Sequence, residues 1–206
     1  MLFRSTPISR GINVVPDREA VKVAPPLRIL VVASEPTDMP PVSAAAEIAA
    51  LRASLQRLID AQAVQLDFCT PPTASRLDAV LQQQRYHIVH FIGHGDFEVS
   101  GLDPDPQPHL YFERDGAGRQ RHAVDAEQLF TMLRNGNVPM IVMTACSTAA
   151  TSPNGAQYPA LAFEGLAQTL VERNSGPLAA VGMQFDLETD AAATFSGLYG
   201  DRKSVV

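Results

Sequence analysis

The chain has few cysteines, no long apolar run and no excess of basic residues. It has two cysteines, Cys69 and Cys146, which is too few for a disulfide framework, so we expect a reducing, cytoplasmic location. No apolar run reaches the roughly 18 residues of a membrane span, and the first residues lack the apolar core of a secretory signal. Acidic residues outnumber basic ones by 22 to 16, which argues against nucleic acid as a direct partner.

What the chain does have is enough apolar sequence for one packed domain. Its 206 residues are 46% hydrophobic and 18% charged, which is typical of neither a disordered chain nor a coiled coil. Continuous apolar, β-branched runs predict buried strands, and apolar residues at helical spacing predict helices between them. The predicted strands are 28–34, 64–69, 87–93, 140–146 and 177–184, and the predicted helices are 38–62, 73–85, 125–136, 158–176 and one that begins near Glu188. This alternation predicts an α/β fold, in which helices cover both faces of a mostly parallel sheet.

Local signals mark the ends of several elements. Ser43 is a plausible N-cap for the first helix, Thr73 or Ser75 for the second, and Gly136 reads as a C-cap for the third. One insert breaks the alternation after the third strand. Its sequence, HLYFERDGAGRQRHAV, predicts a β-hairpin with the turn at residues 115–118.

Two chemically useful side chains follow predicted strands. His94 comes directly after the third strand, and Cys146 closes the strand MIVMTAC. Ligands of open α/β sheets bind outside the carboxyl ends of the strands, so neighbouring strands would bring imidazole and thiol together as base and nucleophile. Gly93 then permits a sharp exit from its strand. The N–H groups of Gly95 and Cys146 are candidate donors to an oxyanion.

Each of these residues also has an ordinary structural interpretation. A single histidine after a strand is more often a hydrogen-bonded structural residue, and a single buried cysteine is usually a small hydrophobe. His87, His90 and His94 have a spacing that suits zinc on a helix. In a strand, however, His90 and His94 would lie roughly 13 Å apart, which is too far for a shared ion. We therefore expect neither a metal nor a cofactor.

Two further motifs fail their structural tests. The segment GHGDFE begins like a dinucleotide fingerprint, but it lacks the third glycine and leads into VSGLDPDPQP rather than a helix. Ser147 and Thr148 lie outside any G-x-S-x-G elbow, so a serine nucleophile is not indicated. A flavodoxin-like nucleotide binder would need a phosphate-cradling loop, which the sequence does not offer.

Four segments of the sequence resemble one known family. VHFIGHGDF and IVMTACST, with LRILVVASEP before them and AAVGMQFDLETDAAATF after them, are similar to the CHAT domain over residues 28–199. CHAT domains are caspase-like cysteine peptidases of the group that includes separases and gingipains. His94 precedes Cys146 by 52 positions and Ala145 precedes the cysteine, which fits the pattern of caspases.

The resemblance implies a fold, a reaction and a setting. It implies a caspase-like three-layer α/β/α sandwich and a cysteine endopeptidase, with His94 as the base and Cys146 as the nucleophile. The substrate would be a protein or peptide, and family members are often fused to tetratricopeptide repeats or other sensor modules in bacterial signalling or defence. Beside the last strand, Gln184 and Asp186 are candidate substrate-binding residues, although Asp186 also suits a helix cap. The alternative is a catalytically silent interaction module of the same shape.

The expected boundaries divide the chain into three parts. Residues 1–27 read as an approach segment that ends a longer N-terminal part, and residues 28–200 as the CHAT domain, truncated at its C-terminus. The last six residues, DRKSVV, are what a common sequencing adapter would encode. We therefore expect residues 201–206 to be a read-through tail.

Overall fold

The centre of the fold is a parallel five-stranded sheet, seen in a computed structural model that describes residues 22–100, 103–145, 165–172 and 176–182. In chain order, the strands are β1 (Leu27–Ala33), β2 (Val64–Phe68), β3 (Ile88–Ile92), β4 (His94–Ser100), β5 (Asp103–Glu113), β6 (Arg121–Asp125), β7 (Met140–Thr144) and β8 (Ala179–Gly182). The helices are α1 (Ala44–Asp60), α2 (Ala74–Gln83), α3 (Ala126–Asn135) and α4 (Leu166–Glu172). The large sheet has the order β2-β1-β3-β7-β8, and every one of its pairings is parallel.

Alternate residues of β1 divide the protein into two cores. Ile29 and Val31 face one side of the sheet, where they pack in the same cluster as Leu51 of α1. The neighbouring residues Leu30 and Val32 face the other side, in a cluster with apolar residues of α2, α3 and α4. Because both faces of the strand are buried, its sequence is a continuous apolar run. The predicted α/β architecture with helices on both faces is therefore confirmed.

Helix ends follow the predicted signals in part. Thr73 caps α2, because its hydroxyl accepts a hydrogen bond from the backbone N–H of Arg76. Ser43 occupies the N-cap position of α1, but its side chain makes no capping hydrogen bond. Gly136 is the C-cap of α3 with an ordinary φ of −77°. Its lack of a side chain is explained by packing, since a Cβ there would lie 2.8 Å from the Cβ of Leu81.

The insert after β3 is larger than the predicted hairpin. The hairpin itself is confirmed, because β5 pairs with β6 in an antiparallel ladder around the predicted turn. A further strand, β4, pairs with the other edge of β5, so the insert is a three-stranded antiparallel sheet. The chain thus passes from the large sheet into the small one at Gly93.

Several predicted bounds are corrected at the strand ends. β3 ends at Ile92 and β7 at Thr144, so Ala145 already lies outside the strand that the sequence extended to Cys146. The described part of the fourth long helix runs from Leu166 to Glu172, inside the predicted range. The helix predicted to begin near Glu188 lies outside the described residues. The described helices are all too short or too polar to cross a lipid bilayer.

Candidate active site

His94 stands at the junction between the two sheets. It is the first residue of β4 and follows β3 by a single residue, at the carboxyl edge of the large sheet. Between them, Gly93 is packed so closely that a Cβ would lie 3.0 Å from the carbonyl oxygen of Ser34 and 3.0 Å from the ring of Phe91. A side chain would therefore push β1 and β3 apart. Gly93 is also the bend at which the chain leaves β3, as predicted, so close packing is a second reason for a glycine at this position.

The imidazole of His94 has a defined hydrogen-bond partner. Its Nε2 lies 2.7 Å from the carbonyl oxygen of Pro40, in the loop between β1 and α1. A carbonyl oxygen can only accept, so Nε2 must donate and carries the proton of the neutral ring. Nδ1 is then the nitrogen with the lone pair. The half-buried ring is thus held in the tautomer in which Nδ1 can take up a proton.

The register of β3 and β7 gives the geometry of this edge. The two strands are parallel neighbours, as the sequence required for a shared site, and Ile92 pairs with Thr144 in the last step of the ladder. His94 and Cys146 each follow one member of this pair by two residues. Cys146 itself lies outside the described residues.

A buried hydrogen-bonded group joins β3 to β7 just below the edge. The hydroxyl of Thr144 donates to the carbonyl oxygen of Phe91 over 3.2 Å, and it lies 3.4 Å from Nε2 of His90. Since the hydroxyl proton is used by Phe91, the nitrogen of His90 is the donor to Thr144. His90 is fully buried, and this burial lowers its pKa to about 4. A neutral His90 therefore acts as a structural group at neutral pH.

Cys69 provides a contrast to a reactive thiol. It follows β2, is 4% exposed, and lies with its sulfur 3.6 Å from the carbonyl oxygen of Pro71. Burial raises its pKa to about 11, against a smaller opposing effect of Arg76. At neutral pH this thiol is protonated and inaccessible. Cys69 therefore has the properties of a core residue, not of a nucleophile.

Gly95 and Asp96 lie within β4, not in a loop. Gly95 is buried opposite Leu110, and the exposed Asp96 is opposite His109. β4 is an edge of the small sheet, and an antiparallel edge strand turns alternate N–H groups away from its partner. The strand was missed in the sequence because GHGDF reads as a turn. Asp96 thus belongs to an edge strand.

The remaining candidate residues divide into two groups. Cys146, Gln184 and Asp186 lie outside the described residues, as does the loop 147–159. The histidines are described, and each has its own partner: Nδ1 of His87 accepts from the backbone N–H of Arg28 at 2.9 Å, while His90 and His94 have the contacts given above. Among the residues that the structure describes, no three metal-ligating side chains are grouped together.

The carbonyl oxygen of Pro40 is the functional group that sequence reasoning missed. A backbone acceptor has no residue-type signature, and no spacing rule connects Pro40 to His94 across 54 positions. Only a general rule pointed to this contact. Loops after the strands of a parallel sheet converge at its carboxyl edge, and Pro40 is in the loop after β1.

The parallel sheet, its covering helices and the histidine at its carboxyl edge define a caspase-like α/β/α sandwich. The family model of the CHAT domain matches residues 4–199, and the chain belongs to this family. The family is associated with caspase-like cysteine peptidases. No curated protein sequence matches the chain.

Proposed function

We propose that this protein is a cysteine endopeptidase in which Cys146 is the nucleophile and His94 is its general base. The observation that carries the proposal is the β3–β7 register, with Ile92 opposite Thr144. Neighbouring strands are about 4.8 Å apart, and two residues of chain span at most about 7 Å. His94 and Cys146 follow β3 and β7 by the same number of residues, so their side chains can come into contact. This spacing favours a catalytic dyad over two side chains that act independently.

The tautomer of His94 suits the role of base. Because Nε2 is occupied by the carbonyl oxygen of Pro40, Nδ1 is left to accept the proton of a thiol. The resulting thiolate attacks the scissile carbonyl and forms a tetrahedral oxyanion. Nδ1 then returns the proton to the leaving amine, and water, deprotonated at the same nitrogen, releases the acyl group from sulfur. The Pro40 carbonyl stabilises the imidazolium that forms between these steps.

The oxyanion is assigned to two backbone donors, the N–H groups of Gly95 and Cys146. In support, Gly95 lies one residue from His94 on an edge strand, where part of the backbone N–H groups are free of the ladder. Gly95 also lacks a side chain that would keep a peptide away. Such donors typically contribute a factor of about 100 to 1,000 in kcat.

Substrates are proposed to be proteins or peptides that lie across the carboxyl edge of the sheet. Gln184 and Asp186 follow β8, the strand next to β7, and are proposed to line the pocket for the residue before the cut. The proposed setting is a regulated protease of a bacterial signalling or defence system, switched by a sensor module such as tetratricopeptide repeats. Membership of the CHAT family supports this setting.

Cleavage of a peptide library tests the proposal. The purified chain is incubated with a proteome-derived library, and new termini are identified by mass spectrometry. We expect cuts with a common side chain before the scissile bond, which disappear in both Cys146→Ala and His94→Gln. Cys69→Ala is the matched control and should cut as wild type does. If the wild-type protein is folded and its thiol is reactive but it cuts no peptide, the silent interaction module is favoured instead.

A further inference from the structure

The loop between β1 and α1 is fixed at its beginning and presents an acceptor near its end. The backbone N–H of Ser34 donates to the carbonyl oxygen of Ile92 at 2.8 Å, which ties the start of the loop to β3. Six residues later, the carbonyl oxygen of Pro40 accepts from His94. Pro40 itself is exposed. After it, Val42 packs against the core cluster that contains Ile29 and Leu51, and before it, the intervening residues 35–38 have contacts of their own.

Those residues are held by the tip of the β5–β6 hairpin. The backbone N–H of Thr37 donates to the carbonyl oxygen of Arg119 at 2.8 Å, and its hydroxyl donates to that of Gly118 at 2.8 Å. One residue further on, the carboxylate of Asp38 accepts from the backbone N–H of Arg121 at 2.7 Å. The hairpin therefore contacts the loop through consecutive hydrogen bonds on the approach to Pro40.

An ion pair with one buried partner reinforces the same contact, since the carboxylate of Glu113 is buried whereas the side chain of Arg119 is 57% exposed. Glu113, at the end of β5, is 3% exposed, and Arg119 binds both of its oxygens, with Nε at 2.9 Å and a terminal nitrogen at 2.7 Å. That terminal nitrogen also lies 3.3 Å from the carbonyl oxygen of Glu35, whose own N–H lies 3.4 Å from Glu113. A carboxylate is costly to bury without such a partner. The pair thus connects the hairpin to the loop rather than only closing the hairpin.

The hairpin tip itself has an unusual backbone. Gly118 has a φ of 117°, and the next residue, Arg119, has a φ of 45°, in the left-handed region that residues with a side chain rarely adopt. This conformation costs free energy and persists where surrounding contacts impose it. Here it places the carbonyls of both residues toward Thr37 and the guanidinium of Arg119 toward Glu113. At the hairpin tip, this conformation falls on a residue whose backbone and side chain both contact the loop.

We propose that the hairpin is a positioning device for the catalytic base, with the Glu113–Arg119 pair as its central contact. The pair contacts Glu35 and fixes the hairpin tip, whose backbone holds Thr37 and Asp38. The loop in turn holds the carbonyl of Pro40, and that carbonyl holds His94 in the tautomer with a free Nδ1. The inference rests on the proposed dyad for its catalytic meaning. It gives a role to the insert, which the fold of the large sheet does not require.

Arg119→Met and Arg119→Lys test the proposal through two readouts. The first is the rate at which a peptidyl cysteine-reactive probe labels Cys146. The second is the tautomer of His94, read from long-range proton–nitrogen correlation spectra of protein labelled with ¹⁵N-histidine. Arg57→Met is the matched control, since Arg57 is exposed in the last turn of α1 at the opposite edge of the sheet. His94→Gln gives the rate without the base.

The proposal predicts a graded result. Arg119→Met should slow labelling roughly 10- to 100-fold and give a mixture of His94 tautomers, since a reacting group misplaced by about 1 Å loses about 100-fold. Arg119→Lys should recover part of the rate, because lysine keeps the charge but not the two-point contact. Arg57→Met should equal wild type in both readouts.

Two further variants guard against misfolding of Arg119→Met, which leaves the Glu113 carboxylate buried and unpaired. Arg119→Met with Glu113→Gln removes both charges, and Thr37→Val removes one exposed hydroxyl donor. The second should slow labelling by roughly 3- to 10-fold, the usual effect of one lost hydrogen bond.

If His94 keeps its single wild-type tautomer in folded Arg119 variants, the hairpin does not position His94, whatever the labelling rate. The same conclusion follows if Cys146 is labelled at the wild-type rate in all of the Arg119 and Thr37 variants. If instead His94→Gln labels as fast as wild type, the dyad proposal fails, and the tautomer spectra still decide whether the hairpin positions His94.

Discussion

Burial of His90 makes the stability of the fold depend on pH in a calculable way. Its folded pKa is about 4, because burial disfavours the charged ring, whereas the ordinary value is 6.5. The unfolded chain therefore binds a proton at higher pH than the folded protein does. The contribution of neutral His90 is fully present above pH 6.5 and is lost progressively as the pH falls from there toward 4. Between pH 7.5 and pH 5, this loss is about 2 kcal/mol.

The variant that isolates this effect is His90→Gln. Glutamine places an amide N–H where Nε2 donates to Thr144, but it does not titrate. Urea unfolding of wild type and variant at pH 7.5 and pH 5 gives four free energies of unfolding. We expect wild type to lose about 2 kcal/mol more than the variant over this range. His122→Gln, at an exposed position of β6, controls for the exchange of imidazole for amide. Equal losses in wild type and His90→Gln would show that His90 does not cause the pH dependence.

Three other predictions concern single residues. Gly136→Ala should destabilise by about 1–3 kcal/mol in urea unfolding despite its ordinary φ, because the new methyl group meets Leu81 at 2.8 Å; a gain in stability would contradict this. Asp125→Ala should cost about 1 kcal/mol, because Asp125 caps α3 through the N–H of Gln128, and an unchanged melting temperature would argue against the cap. Cys69 should resist alkylation at pH 7.5 until denaturant unfolds the protein, because burial raises the pKa of its thiol to about 11 and keeps it protonated. Peptide mapping by mass spectrometry checks this, and rapid labelling without denaturant would contradict it.

Much of the large sheet was predictable, because burial on both faces leaves a direct trace in sequence. LRILVVA and MIVMT are mostly apolar runs, and in the fold eight of their twelve residues are buried and the other four are partly buried. The N-cap at Thr73 was predictable because few residue types cap helices. Gly136 is the predicted C-cap, but its contact with Leu81 explains why the residue is a glycine. The position of His94 at a strand end followed from the same runs.

The small sheet and the contacts of the site were less predictable. β5 begins with DPDPQP, and proline is unusual inside a sheet, so the sequence argued against a strand there. Two contacts depend on backbone carbonyls. The carbonyl oxygen of Pro40 accepts from His94, and that of Glu35 accepts from the guanidinium of Arg119. Any residue can supply a carbonyl, so these contacts become visible only when distant segments are placed in space. Glu113 in particular reads as an ordinary surface charge until its burial is known.

The kinetics of thiol labelling distinguish a dyad of His94 and Cys146 from two side chains that act independently. The purified chain is treated at pH 7.5 with a peptidyl cysteine-reactive probe, and the modification of each cysteine is followed by peptide mapping over time. We expect fast labelling of Cys146, a decrease of at least about 10-fold in His94→Gln, and little labelling of Cys69 in the folded protein. Equal rates at Cys69 and Cys146, or a Cys146 rate that does not depend on His94, would rule out the dyad.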